Sequence, residues 1–236
     1  MPRAMILAAG MGSRLRPLTN KTPKALLLYK GKPMLEHVML KLKGAGITEV
    51  IINVHHRAEQ IIDYVLENNG FGLKVIFSDE EDQLMDTGGG ILKAKIFFEG
   101  QGAFIVYNID IFSNIDLKQL LKAHEAGDQL ATLAVKKRDT SRNFLMNDQN
   151  LLCGWRNNQT GEEIITRNEE GLRGTAFSGI HVLDDRIFPL LLEEGPFSIT
   201  KAYLELSKKY PIYLYNHSKD HWVDMAHPSN FPSLKH

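Results

Sequence analysis

Arg14, Arg16, Lys21 and Lys24 stand within twelve residues of Gly12, and no carboxylate lies between Met1 and Lys32 to balance them. A segment this cationic suits a polyphosphate, because cations and bare backbone N–H groups together replace the hydration of clustered anionic oxygens. The N–H groups come from Leu7-Ala8-Ala9-Gly10-Met11-Gly12-Ser13, where Gly10 and Gly12 permit positive φ and bring bare backbone close to a ligand. Two aspartates each end an apolar stretch: Asp110 in Asn108-Ile109-Asp110, and Asp224 in His221-Trp222-Val223-Asp224-Met225. An ionised carboxylate beside an apolar strand is costly unless a cation compensates it, and one divalent ion reached by both would explain two. The rival role for Asp110 is a turn or helix cap, but Asn114-Ile115-Asp116 offers the following helix a better cap. Asp86-Thr87-Gly88-Gly89-Gly90 is either a tight strand-to-helix turn or backbone left bare so that it can approach a base or ribose.

These groups need a scaffold, and the hydropathy pattern supplies one. Residues 4–9 form an apolar run with no polar interruption, the mark of a strand covered on both faces. Further strands are predicted over 49–54, 73–78, 103–107, 130–135, 177–183, 211–215 and 221–225. Helices are predicted over 34–45, 58–69, 115–126, 185–193 and 199–209, with another opened by the triple glycine. Alternating strands and helices imply right-handed crossovers and a mostly parallel, Rossmann-like α/β sheet with helices on both faces. In such sheets ligands sit above the carboxyl ends of the strands, where the cationic loop and Asp110 both lie. The turn-rich stretch 151–168 reads as a small hairpin insertion in a single domain. Gly179, inside Phe177-Ser178-Gly179-Ile180, implies close approach of a ligand or another backbone.

Two familiar phosphate motifs do not fit. A dinucleotide fingerprint needs a third glycine where Leu15 stands, and a Walker loop needs Ser or Thr where Pro33 follows Gly31-Lys32. What the chain does carry, L-A-A-G-x-G-x-R-L-x-P-L-T followed by T-P-K-A-L, resembles the signature of the sugar-1-phosphate nucleotidylyltransferases. That resemblance implies transfer of a nucleotidyl group from a nucleoside triphosphate to a sugar 1-phosphate. It implies Mg2+ held by Asp110 and Asp224, catalysis by Arg14, Lys24 and Asp110, and nucleotide binding by residues 7–13. Asp86, Thr87, Gly88 and Asn108 would meet the base and ribose, and Thr175 and Gly179 the sugar. The D-T-G-G-G, F-S-G-I and H-W-V-D elements look most like the N-acetylmuramate α-1-phosphate uridylyltransferases, so UTP is the expected donor. Heptose- and mannose-1-phosphate guanylyltransferases share the same loop. Residues 1–135 would be mainly the nucleotide half and 136–236 the sugar-phosphate half.

Other groups have plainer readings. The run Lys136-Lys137-Arg138-Asp139-Thr140-Ser141-Arg142-Asn143 is either a solvated loop or a place where Arg142 beside Asn143, with Arg138, clamps the acceptor phosphate bidentately. The acidic run 79–82 reads as a solvated loop, His55-His56 as a solvated turn, and His181 and Cys153 as packed residues in strands. Lys plus Arg and Asp plus Glu both number 28, so no global field directs the chain to nucleic acid or an anionic membrane. One cysteine fits a reducing compartment, and no run approaches the roughly 20 apolar residues that cross a bilayer. With no signal-like start the expected location is cytoplasmic, and no feature fixes an oligomeric state. A different class of reading, a nucleotide-sugar-binding regulatory subunit without turnover, draws on Ile109 and Ala226, which stand where glycine is usual in the resembling family.

Overall fold

The apolar run that opens the chain becomes a central strand, covered on both faces as its lack of polar interruption requires. The computed structural model describes residues 2–231; the last part of the short C-terminal segment, 232–236, lies outside them. In chain order the strands are β1 (Arg3–Leu7), β2 (Leu28–Tyr29), β3 (Lys32–Pro33), β4 (Glu49–Val54), β5 (Lys74–Asp79), β6 (Phe104–Asn108) and β7 (Ile111–Ser113). They continue with β8 (Ala131–Lys136), β9 (Arg142–Met146), β10 (Leu152–Asn157), β11 (Glu163–Ile165), β12 (Arg173–Leu183), β13 (Ile212–Asn216) and β14 (Trp222–Asp224). The helices are α1 (Met34–Gly44), α2 (Ala58–Glu67), α3 (Asp86–Lys93), α4 (Leu117–Glu125) and α5 (Ile199–Ser207).

The main sheet runs β11-β10-β9-β12-β6-β1-β4-β5, with β8 on β12 and β13 on β8. β5, β4, β1 and β6 are parallel, as alternating strands and helices demand. Polarity reverses at β12, which is antiparallel to β6, β8 and β9, and β10–β11 extend that edge as the expected hairpin. Along β1, Met5 and Leu7 enter one apolar layer with α5 and Phe98, while Ala4 and Ile6 enter the other with α1 and α2. That alternation is the period-2 geometry of a strand serving two cores at once. Asp116 caps α4 by accepting from the N–H groups of Lys118 and Gln119 at 2.9 and 3.1 Å. No helix among the described residues is long and apolar enough to cross a membrane.

One expectation is corrected, and two strands join the expected ones. The helix over 185–193 is a short 3-10 turn, Asp185–Leu190, because Pro189 has no N–H to give an α-helical ladder. The expected final strand is present and pairs with β7, a strand the periodicity did not show. β9 also escaped, since it emerges directly from the polar 136–143 segment.

Candidate active site

Leu7, Asn53 and Asn108 stand side by side in the ladder at the carboxyl ends of β1, β4 and β6. Above them opens a cavity of about 400 Å3 lined by Gly10, Lys24, Asn108, Asp110, Asp86 and Thr87, among others. The loop that leaves β1 divides into two stretches by hydrogen bonding. The N–H groups of Ala8 and Ala9 are bound to the Asn53 Oδ1 at 2.6 and 3.3 Å. Those of Gly10, Met11, Gly12 and Ser13 have no partner among the described residues. The stretch of unpartnered N–H groups therefore begins at Gly10 rather than at Leu7. Gly12 takes the positive φ (62°), and a Cβ there would lie 2.7 Å from the Thr19 Cγ2; Thr19 closes the turn by donating to the Gly12 carbonyl at 2.9 Å. Gly10, contrary to expectation, has no positive φ and faces open space.

Lys24 follows at the start of a 3-10 turn, is buried, and forms an ion pair with Asp110. The Asp110 carbonyl accepts from the Met225 N–H at 2.7 Å, and Asp224 lies opposite Ile111 in the β7–β14 ladder. The two strand-end carboxylates thus belong to adjoining segments. Leu15, Met225 and Phe231 share a small apolar cluster, which ties the residue after Arg14 to the residue after Asp224. Asp224 is fixed at both ends: its Oδ1 accepts from the Ala226 N–H and its carbonyl from the Asn230 side chain, each at 2.7 Å. Arg14 is exposed and makes no ion pair among the described residues.

The acidic run proved more than a solvated loop. Glu80 is fully buried, its Oε1 accepting from the Asn53 Nδ2 at 2.7 Å and its Oε2 from the Met85 N–H at 2.9 Å. Asn53 therefore joins the β1 loop to the turn that opens α3. Strand parity carried the signal: Ser78 and Glu80 are inward and Asp79 outward, as a period of 2 requires. The triple glycine serves packing. A Cβ on Gly88 would lie 2.2 Å from the Phe197 ring, and one on Gly90 would lie 2.7 Å from the Glu80 Oε1. The Gly88 N–H donates to the Phe197 carbonyl at 2.8 Å. Asp86 and Thr87 remain on the cavity wall, Asp86 with a positive φ of 56°.

Of the residues expected to meet the acceptor, the structure brings some together and sets one apart. Gly179 (φ 73°) sits where β12 shifts register against β8, and a Cβ there would meet the Ile111 side chain at 2.8 Å and the Asn108 Nδ2 at 3.0 Å. Thr175 is buried opposite Phe144, and the Asn143 side chain, also buried, donates to the Thr140 carbonyl at 3.2 Å. Arg142 is exposed and lines a separate cavity of about 670 Å3 with Trp155, Phe197 and Lys201, which meets the first only at Asp86. Arg138 turns inward. It lies 4.4 Å over the Trp222 ring and donates to the Phe177 carbonyl at 3.1 Å. Of the bland expectations, His181 is buried with its Nδ1 at 2.7 Å from the Tyr203 hydroxyl, and Cys153 is a buried free thiol.

The sequence model of the family described as "Nucleotidyl transferase" matches residues 3–231. The chain belongs to this family of sugar-1-phosphate nucleotidyltransferases. It is 30% identical over 233 residues to the mannose-1-phosphate guanylyltransferase catalytic subunit beta of Drosophila melanogaster, covering 97% of this chain and 60% of that one. To the N-acetylmuramate alpha-1-phosphate uridylyltransferase of Neisseria meningitidis serogroup B it is 42% identical over 114 residues, 48% of this chain and 49% of that one. The chain thus spans about half to six-tenths of the length of these curated relatives. HddC from Yersinia pseudotuberculosis, complexed with GMP-PN, superposes with a TM-score of 0.75 at 24% identity over 98% of this chain and 96% of its own. UDP-glucose pyrophosphorylase from Acinetobacter baumannii gives 0.80 at 17% identity over 99% and 92%. Both likenesses show the shared fold.

Proposed function

We propose that this protein transfers UMP from UTP to a sugar 1-phosphate, with N-acetylmuramate 1-phosphate as the acceptor, releasing pyrophosphate. The observation that carries the reading is convergence: Gly10, which opens the stretch of unpartnered N–H groups, the Lys24 ammonium and the Asp110 carboxylate line one cavity, and the Asp224 segment is bonded to Asp110 through the Met225 N–H. An acceptor phosphate is already ionised at neutral pH, so an in-line attack on the α-phosphorus needs neither a general base nor a covalent enzyme intermediate. What it needs is two anions held together and relief of the charge that grows on the leaving pyrophosphate. The loop N–H groups and Arg14 receive the pyrophosphate portion, and Lys24 the reacting phosphates. Asp86, Thr87 and Asn108 hold the base and ribose, with Gly88 packed behind them. Residues 1–135 act mainly on the nucleotide and 136–236 mainly on the acceptor.

The donor set also suits Mg2+, an ion that takes one or two carboxylates, keeps waters and completes its shell with substrate phosphates. Asp110 and Asp224 would hold it, and no cluster of three or more His, Cys, Asp or Glu side chains among the described residues offers a protein-only cage instead. When bound there it supplies positive charge at the α-phosphoryl oxygens. A triphosphate that draws Lys24 to itself frees the Asp110 carboxylate for this role.

The uridylyl reading is supported by the 42% identity to the uridylyltransferase, and the match along 97% of the chain to a mannose-1-phosphate guanylyltransferase favours GTP and mannose 1-phosphate as the second reading. A pyrophosphate-release screen crossing UTP, GTP, CTP and dTTP with N-acetylmuramate, mannose, heptose and glucose 1-phosphates decides between them. Release with UTP and N-acetylmuramate 1-phosphate above all other pairs is expected. Silence throughout, with nucleotide sugars still bound, would make the protein a binding subunit.

A further inference from the structure

Five cations of the acceptor half, Lys136, Arg156, Arg167, Arg173 and Arg186, spend their donors on carbonyls or carboxylates of the protein itself. Arg142 and Lys201 are exposed on the wall of the other cavity. Arg138 differs from all of these. Its guanidinium is half-buried, stacked at 4.4 Å on Trp222, and anchored at one nitrogen to the Phe177 carbonyl. It forms no ion pair among the described residues, and its Nε–H is buried without a partner. An arginine held this firmly, with a donor left over, is arranged for an anion that is not part of the protein.

Its surroundings say where that anion would sit. Trp222 and Asp224 are two apart on β14 and share a face, so the stacked guanidinium lies on the side of the Asp224 carboxylate, whose field it feels. The Trp222 Nε1–H donates to the Ser178 carbonyl at 2.9 Å, next to the Phe177 carbonyl that Arg138 holds. The following residue is Gly179, whose bare backbone abuts Asn108 at the cavity wall. Burial pushes the Arg138 guanidinium below its usual range and Asp224 pulls it back up. It nevertheless remains a cation, as guanidinium does in proteins.

Resting on the proposed nucleotidyl transfer, we propose that Arg138, and not Arg142, receives the phosphate of the acceptor sugar 1-phosphate. With the phosphate held there, one of its oxygens forms the new bond to the α-phosphorus. The bond from that phosphorus to the bridging oxygen breaks, and pyrophosphate leaves with the electron pair. No proton moves. Arg138 screens the repulsion between acceptor phosphate and triphosphate, and its planar fork fixes the attacking oxygen by paired hydrogen bonds.

The test compares Arg138→Met, which keeps an apolar stem on Trp222, Arg138→Lys, which keeps the charge, and Arg142→Met. Each is first checked for an unchanged thermal midpoint and an unchanged UTP Kd by calorimetry. N-acetylmuramate, mannose and glucose 1-phosphates are then titrated, and KM is separated for donor and acceptor. The expected result is an acceptor Kd and KM raised at least tenfold in Arg138→Met, a smaller rise in Arg138→Lys, and donor KM within twofold of wild type in both. Arg142→Met should leave the acceptor KM within twofold. An active Arg138→Met with wild-type acceptor KM overturns the assignment and leaves the nucleotidyl transfer standing. An effect on donor KM alone does the same. A wild-type protein that binds none of the three sugar phosphates and releases no pyrophosphate removes both.

Discussion

Lys24 and Asp110 are each other's counterion, yet the proposed reaction gives each a different partner. That double use gives the pair a distinctive response to mutation. Asp110→Asn keeps the shape but removes the charge, and turnover should fall by about 10²-fold or more, the scale for losing one preorganised charge stabiliser. Lys24→Met should lose as much, while in addition leaving the Asp110 carboxylate without its cation in a half-buried place, so its thermal midpoint should drop as well. Pyrophosphate release and a melting curve on both variants check this; full turnover by Asp110→Asn with Mg2+ present would remove Asp110 from the reaction. Legibility at this scale followed spacing. The glycine loop, Lys24 and Asp110 stood out because each lies in a short stretch of unusual residue types, and the fold brings Gly10, Lys24 and Asp110 to one cavity. Glu80 was hidden in an acidic run, since burial of one carboxylate among four depends on strand parity carried past the end of β5. Arg138 and Arg142 could not be told apart, because the segment between β8 and β9 has no period from which to infer which side chain turns inward.

The strands and helices met expectation wherever a long apolar period reported them, as in β1, β4, α1 and α2. The exceptions are elements defined by their neighbours. β7 is three residues long and exists as a strand only through the expected β14, and β9 is recruited by β10 and β12. The opening of α3 shows what such dependence costs in sequence freedom. Gly88 is tolerable there to the helix because nothing larger fits beneath Phe197. Gly88→Ala should improve helix propensity by roughly 1 kcal/mol and lose more than that to the displaced ring, since overpacking costs about 1–3 kcal/mol. The thermal midpoint is therefore expected to fall by a few degrees, and the Phe197→Ala background should turn the same substitution neutral or stabilising. If Gly88→Ala destabilises equally in both backgrounds, the steric account is wrong.

For the molecule as a whole, three buried histidines tie stability to pH. Burial holds His124 below its ordinary value, His217 at about 4 and His181 at about 3. Each is neutral in the folded state and takes up a proton in the unfolded chain below about pH 6.5, so the unfolded state binds more protons and stability falls as pH drops. The loss should begin near pH 6.5 and continue to about pH 4 for His217, with full stability above that window. Thermal midpoints measured from pH 7.5 to 5 should decline, and His217→Gln should show a shallower decline; an identical slope would exclude His217 as a contributor.

β12 is eleven residues of unbroken backbone that joins the parallel core to the β9–β11 edge: Ile180 to Leu183 lie against β6, and Arg173 to Thr175 against β9. A single chain segment therefore acts as a common ruler, with the kink at Gly179 as its zero mark. On the proposed reaction, changes in the β10–β11 hairpin would bear on the acceptor without moving the donor's place, because the ruler's other end is clamped in the parallel core.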